Sequence, residues 1–75
     1  MITVEERPTG TTVVIEADGG GIANIRCGNG TEFAVIRTAK NNETFEYVAT
    51  AGNEWNAVIV GNQVGWVSGK YSRIV

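Results

Sequence analysis

The chain is 75 residues long, carries eight acidic and six basic side chains for a net charge of −2, and contains no histidine. A chain of this size forms one small domain that buries only about 60% of the surface its unfolded form exposes. The basic residues are scattered, which argues against nucleic acid or an anionic membrane as a partner. Cys27 is the single cysteine, so an intramolecular disulfide is excluded and no metal site is predicted.

The first ten residues are polar and charged and contain the only proline. We interpret residues 1–10 as a linker or lead-in and residues 11–75 as the domain. The N-terminal stretch has no apolar signal-peptide core, and no apolar run approaches the roughly 20 residues that span a membrane. If the chain acts outside a cell, we therefore expect a parent polypeptide or a lysis event to take it there.

Short β-branched runs separated by ten glycines and many Asn and Thr residues are typical of an all-β domain. A first strand is predicted over residues 11–17 and a second over residues 22–27. Alternation along the second strand places Cys27 on the same face as Ala23 and Ile25. A small core residue is therefore the favoured interpretation of Cys27, over a reactive thiol.

The rest of the chain continues this pattern of strands and turns. A short apolar piece is predicted over 33–36, strands over 44–50, 55–60, 63–67 and 73–75, turns at 28–31, 40–43 and 61–62, and a single helical turn over 68–72. No segment shows helical periodicity over 11 or more residues. The sequence therefore predicts an all-β fold, and a small barrel of about five to seven short strands protects the sheet edges most economically.

Three segments resemble motifs of bacterial Src-homology-3-like (SH3-like) domains, in that family's order and spacing. Residues 23–31 resemble its Asn-Val-Arg-Ser-Gly-Pro-Gly-Thr motif, residues 55–58 its Trp-x-x-Val strand, and residues 65–71 its Gly-Trp-Val-x-x-x-Tyr ending. The resemblance covers roughly residues 11–75. It implies an SH3-like barrel with one helical turn near the C-terminus.

The resemblance also implies a function. Domains of this family are commonly attached to cell-wall hydrolases such as amidases, endopeptidases and phage endolysins, and they bind peptidoglycan, often its peptide cross-bridge. The wording of the last two motifs is most similar to the C-terminal domain of a Gram-positive amidase or endolysin. We expect a non-catalytic targeting module that requires no cofactor.

In the family geometry, two aromatic residues and one loop border a shallow groove. Here the aromatic residues would be Trp55 and Tyr71, and the loop would be residues 27–33. The candidate contributors from that loop are Asn29, Glu32 and Phe33. Aromatic faces hold sugars and peptides by removing apolar area from water, while a few polar groups set the orientation.

Each of these aromatic residues also has a purely structural interpretation. Trp55 and Tyr71 could equally complete a thin core, and packing is favoured for Trp66. Arg26 could donate to a ligand carboxylate or carbonyl at the groove. The favoured alternative is that Arg26 ties neighbouring loops together through backbone carbonyls.

Enzymatic chemistry finds no support in the sequence. Hydrolysis or group transfer needs an activated nucleophile, an acid–base pair or a metal, and without histidine the Cys27 thiol has no imidazole base. The alternative function comes from another class: a protein-interaction module that binds an extended or proline-rich peptide or assembles with copies of itself. A long exposed edge at residues 11–17 would favour assembly into a homo-oligomer.

Overall fold

Seven β-strands make up the described part of the chain, which comprises residues 11–17 and 21–75 of the computed structural model. The strands are β1 (Thr12–Ile15), β2 (Ile22–Arg26), β3 (Val35–Lys40), β4 (Thr44–Thr50), β5 (Asn56–Val60), β6 (Gln63–Val67) and β7 (Ser72–Ile74), with one 3-10 turn (Gly69–Tyr71) between β6 and β7. The predicted linker at residues 1–10 and most of the predicted break at 18–21 lie outside these residues.

The strands are ordered β3-β2-β6-β5-β4-β1-β7, and every neighbouring pair is antiparallel. The all-β prediction is confirmed, as is the single helical turn near the C-terminus. Within residues 11–17 and 21–75, no helix is long and apolar enough to cross a membrane.

The core is built from alternate residues of the strands, because successive side chains of a strand point to opposite faces. Val13 and Ile15 of β1 and Ile25 of β2 are completely buried. They belong to a single apolar cluster. The cluster consists of Val13, Ile15, Ala17, Ala23, Ile25, Ala39, Phe45, Val58 and Val67.

Gly65 has a packing role in this core. A Cβ atom built on Gly65 would lie 2.4 Å from Cγ2 of Ile25 and 3.0 Å from Cγ2 of Val60. The side chain of Ile25 therefore occupies the space that any larger residue at position 65 would need. This close approach explains why a glycine precedes the tryptophan in the Gly-Trp-Val segment.

The β5–β6 hairpin turns through Gly61 and Asn62, as predicted, with Val60 opposite Gln63. Gly61 has a φ of +63°, and in this turn only the first central residue has a positive φ. Glycine at that position is the signature of a type II′ turn, whose twist matches that of the flanking strands.

The expectation that Cys27 is a core residue is wrong. Cys27 is exposed, because β2 ends at Arg26 and the pairing with β3 shifts register between Ile25 and Arg26. A bulge of this kind breaks the alternation on which the expectation depended. The short apolar piece expected at 33–36 is also different, since a full strand begins at Val35 and continues to Lys40.

Two other expectations about position are corrected. Trp66 is only half-buried and lies outside the core cluster, because the core face of β6 belongs to its neighbours Gly65 and Val67. Strand β1 is not an edge, since it pairs with β4 on one side and β7 on the other. The proposed route to self-assembly through an exposed edge at 11–17 therefore loses its support.

Candidate functional site

A groove of about 620 Å³ opens on the surface between β2, the turn before β5, and the 3-10 turn. Two aromatic residues line it: Trp55, which is half-buried, and Tyr71, which is 46% exposed. Its other lining residues are Ile22, Ala23, Asn24, Arg26, Thr31, Asn53, Glu54, Ser68, Gly69 and Lys70. The groove interpretation of Trp55 and Tyr71 therefore agrees with their positions, and neither residue belongs to the core cluster.

The floor of the groove follows β2. Ile22, Asn24 and Arg26 alternate with the buried residues of this strand, so they share the outer face of the sheet. Ile22 is 58% exposed, so its aliphatic side chain is open to the groove. The apolar side chain of Ile22 and the amide side chain of Asn24 are therefore neighbours on the exposed face of β2.

Arg26 ends this floor and holds the neighbouring loop. Its Nη1 donates to the backbone carbonyls of Thr31 at 3.2 Å and Phe33 at 2.9 Å. These are the backbone contacts that the structural interpretation of Arg26 predicts. Arg26 also lines the groove, so one guanidinium fixes the loop and borders the ligand space.

Three candidate residues of the 27–33 loop do not line the groove. The ring of Phe33 covers the backbone of Gly28, where a Cβ atom would lie 2.5 Å from Cγ of the ring. The carboxylate of Glu32 lies over Gly30 in the same way, with Oε1 2.5 Å from such an atom. Both side chains fold back on their own loop, and the ligand role assigned to them remains a prediction.

Asn29, the third loop candidate, takes part in the structure beside the groove through its backbone carbonyl. Its carbonyl accepts a hydrogen bond of 2.9 Å from Nδ2 of Asn53, whose Oδ1 accepts from the backbone N–H of Trp55 at 3.4 Å. Asn53 therefore joins the 27–33 loop to the segment that carries Trp55. Asn53 was not among the predicted site residues, although it lies two residues before Trp55.

The opposite wall is the 3-10 turn, which carries Lys70 and Tyr71. Ser68 caps it: its Oγ accepts from the N–H of Lys70 at 3.1 Å, as serine does at helix N-termini. The following strand fastens the turn, because Oγ of Ser72 donates to the carbonyl of Ser68 at 2.8 Å. Lys70 and Ser68 were also missed, although they occupy the variable positions of the Gly-Trp-Val-x-x-x-Tyr segment.

A chain of polar side chains supports this wall from behind. Nδ2 of buried Asn56 donates to Oγ of Ser72 at 3.0 Å, and Oδ1 of Asn56 accepts from Oγ1 of Thr50 at 2.8 Å. The hydroxyls of Thr50 and Tyr47 lie 2.9 Å apart. Asn56 and Ser72 are buried, whereas Thr50 is exposed. A satisfied hydrogen bond between two buried side chains favours one arrangement, so the bond from Asn56 of β5 to Ser72 helps to set the position of the turn.

The turn before β5 meets the 3-10 turn through backbone contact. Glu54 has a φ of +69°, and a Cβ atom on Gly69 would lie 2.3 Å from its carbonyl oxygen. Only glycine at position 69 allows this approach. The two walls of the groove are therefore packed directly on each other at one end.

In the described part of the chain, no three His, Cys, Asp or Glu side chains are grouped to hold a metal ion. The arrangement instead offers two aromatic residues, several amide and hydroxyl groups, and charges of both signs. Such a combination can bind an extended polar molecule that has apolar faces.

Comparison with known proteins adds one finding. A family model described as "Bacterial SH3 domain" matches residues 19–73, which is most of the chain. The match agrees with the predicted SH3-like barrel and begins after β1, whose residues nevertheless pair with both β4 and β7. No curated protein matches the chain.

Proposed function

The chain belongs to the bacterial SH3 domain family, and from that premise we propose that it is a peptidoglycan-binding module that targets a linked cell-wall hydrolase. Domains of this family are typically non-catalytic binding modules. The observation that carries the proposal is the convergence of Trp55 and Tyr71 on one groove that also contains amide and hydroxyl groups.

The chemistry of the groove suits this ligand class. Peptidoglycan combines sugar rings, which have apolar faces, with short peptides rich in amide groups. The aromatic side chains of Trp55 and Tyr71 remove apolar area from water, while Asn24, Asn53 and Ser68 supply groups that bond to polar atoms. The peptide cross-bridge is the unit that the resemblance to this family implies.

A targeting role requires only modest affinity. When a binding module is tethered to a hydrolase, the second encounter with the wall becomes intramolecular and the effective concentration of substrate rises. An open groove on a 75-residue domain can fulfil that role. In this account the module acts in the cell wall, as part of an amidase or endolysin or after its release by lysis.

The main alternative is a module that binds extended or proline-rich peptides of other proteins. Aromatic-lined grooves recognise such segments as well, so the positions of Trp55 and Tyr71 do not separate the two functions. Comparing wall binding with binding of a proline-rich peptide separates them.

The direct test is co-sedimentation of the purified chain with Gram-positive peptidoglycan. We expect the chain to sediment with the wall, and Trp55→Ala or Tyr71→Ala to weaken the apparent affinity at least about fivefold, since a central contact costs more than about 1 kcal/mol on truncation. A matched control is Val64→Ala, because Val64 is 43% exposed and does not line the groove.

Phe33→Ala adds a second comparison, since Phe33 is 39% exposed and belongs to the originally predicted site. A loss of binding equal to that of Tyr71→Ala would extend the site to the 27–33 loop. Thermal melts must show that each variant is folded. Unchanged sedimentation of folded Trp55→Ala and Tyr71→Ala variants would contradict the proposed groove, and binding of a proline-rich peptide without wall binding would favour the alternative.

A further inference from the structure

The two buried polar side chains of the described residues bond to each other. These residues are Asn56 and Ser72, and Nδ2 of Asn56 donates to Oγ of Ser72 at 3.0 Å. Removing polar groups from water costs free energy, and replacing both partners of a buried hydrogen bond by apolar groups of the same shape is often neutral or stabilising. Stability alone therefore does not explain why the pair is present.

The members of this pair directly follow the two aromatic residues of the groove. Asn56 is the first residue of β5, next to Trp55, and Ser72 is the first residue of β7, next to Tyr71. Strands β4 and β1 lie between β5 and β7 in the sheet, so β5 and β7 are not paired through their backbones. The side-chain bond is therefore a direct link between the segments that carry the two aromatic residues.

The hydrogen atoms of this link have a defined order. Oγ of Ser72 donates its only hydrogen to the carbonyl of Ser68 at 2.8 Å, so it accepts from Nδ2 of Asn56. Oδ1 of Asn56 accepts from Oγ1 of Thr50 at 2.8 Å. With the amide reversed, Oδ1 would face a Ser72 oxygen that has no hydrogen left to donate. The link therefore favours one orientation of the Asn56 side chain.

The carbonyl at the end of the link also closes the 3-10 turn. The carbonyl of Ser68 accepts a second hydrogen bond, of 3.0 Å, from the N–H of Tyr71. The carbonyl of Tyr71 in turn accepts from the N–H of Glu16 at 2.8 Å. Because Ser72 donates to the same carbonyl as Tyr71, a movement of Ser72 would shift Tyr71 relative to Trp55.

We propose that Asn56 and Ser72 are positioning residues of the groove, whose hydrogen bond sets the spacing between Trp55 and Tyr71 that the ligand requires. Neither Asn56 nor Ser72 lines the groove, so the pair acts through the aromatic residues and does not touch the ligand. Without the bond, the chain spends less time in the arrangement that binds, and the apparent affinity falls by that fraction. This inference rests on the proposed function, because it concerns the same groove.

The test separates stability from binding with two variants. Ser72→Ala leaves Nδ2 of Asn56 buried without its partner and should lower the melting temperature. The combined variant Asn56→Leu/Ser72→Ala replaces both polar groups by apolar ones, and its melting temperature should recover. Its affinity for Gram-positive peptidoglycan in co-sedimentation should nevertheless stay about two- to fivefold below that of the original chain, because one neutral hydrogen bond shifts a two-state population by about fivefold.

Hydrogen exchange of backbone amides tests the positioning without any ligand, because it reports local opening. In the combined variant, the amide of Tyr71 should exchange about two- to fivefold faster than in the original chain. The amide of Asn42, which donates to the carbonyl of Ile15 at 2.7 Å in the β3–β4 turn, is the reference and should not change. If the combined variant does not fold, Ser72→Ala is measured against the same reference.

Val13→Ala is the matched control for a loss of stability elsewhere in the domain. Val13 is completely buried in β1 and does not line the groove. Its truncation should lower the melting temperature, because it leaves a cavity in the core. The affinity of the folded variant for the wall should equal that of the original chain.

Recovery of wall affinity together with melting temperature in the combined variant would overturn the inference, because the pair would then serve stability alone. An unchanged exchange rate of the Tyr71 amide would overturn it as well. These failures are distinct from failure of the proposed function. Faster exchange at Tyr71 in a chain that does not bind the wall contradicts only the target. Wall binding that depends on Trp55 and Tyr71 but not on the buried pair contradicts only the positioning.

Discussion

Each of the two turns that flank β4 contains one non-glycine residue with a positive φ, but the residue type differs. The β3–β4 turn has a positive φ at Asn42, and the β4–β5 turn has one at Glu54. Asparagine adopts this region of φ more readily than glutamate does, because a short polar side chain is able to bond to the local backbone. The β3–β4 turn therefore has a residue that suits a positive φ. The β4–β5 turn instead has a charged residue there, and this residue lines the groove.

The neighbouring charges differ in the same way. Beside Asn42, the carboxylate of Glu43 accepts from the backbone N–H of Lys40 at 3.0 Å and pairs with Arg37. Arg37 in turn lies 4.9 Å from the ring centroid of Phe45, within the range of a cation–π contact. The charges at the β3–β4 turn are paired within the fold, while the side chains of Glu54 and Lys70 form no ion pair with the described part of the chain.

The largest expected effect is on the contact that holds the second turn. Gly69→Ala would place a Cβ atom 2.3 Å from the carbonyl oxygen of Glu54, and overpacking of this kind costs about 1–3 kcal/mol. Gly52→Ala, in the turn between β4 and β5, is the matched control, because no atom lies within 4 Å of its Cβ position. Urea denaturation of both variants measures the difference, and equal stabilities would show that the two walls are not packed as described.

A smaller effect on stability is expected when each non-glycine residue with a positive φ is replaced by glycine. Glu54→Gly should stabilise the fold by up to about 1 kcal/mol, because the left-handed region costs a residue with a Cβ atom about 1–2 kcal/mol and the added chain entropy of glycine offsets roughly 0.5–1 kcal/mol of that. Asn42→Gly should bring no gain. Thermal melts distinguish the two variants. A higher melting temperature for Asn42→Gly, with no increase for Glu54→Gly, would contradict the prediction.

The smallest expected effect is on the loss of stability at low pH. The hydrogen bond from the N–H of Lys40, together with Arg37, lowers the pKa of Glu43 below its ordinary value of 4.5. A carboxyl group with a lowered pKa in the folded state stabilises it above the pKa of the unfolded chain, and this contribution is lost as the pH falls through the folded pKa. Glu43→Gln should therefore flatten the decline in melting temperature below about pH 4.5.

Arg37→Met provides the control for this measurement. Because the backbone hydrogen bond of Lys40 remains, Arg37→Met should reduce the acid dependence only in part. A Glu43→Gln profile parallel to that of the original chain would show that Glu43 is not held as described.

Much of the fold could be predicted from local sequence signals. Alternating apolar residues identified the strands over 44–50 and 63–67 with their observed bounds, and Gly61-Asn62 identified the hairpin. The position of Cys27 could not be predicted, because a bulge between β2 and β3 shifts the alternation and depends on tertiary pairing. Local patterns carry no information about such a register shift.

The candidate site was predicted in part. Trp55 and Tyr71 were identified by their resemblance to family motifs, and the structure brings both to one groove. Glu54 and Lys70 were missed because nothing in a sequence distinguishes an unpaired surface charge from a paired one. The loop side chains of Glu32 and Phe33 were placed at the groove by analogy, whereas contacts within the loop turn them onto their own glycines.

The most direct test of the central claim is to titrate the labelled chain with soluble Gram-positive peptidoglycan fragments and to map the resonances that shift. The account predicts that the largest shifts belong to the indole N–H of Trp55 and to the backbone amides of Lys70 and Tyr71, with little change at Val64. Shifts concentrated on β3 or around Val64, with Trp55 and Tyr71 unchanged, would contradict it.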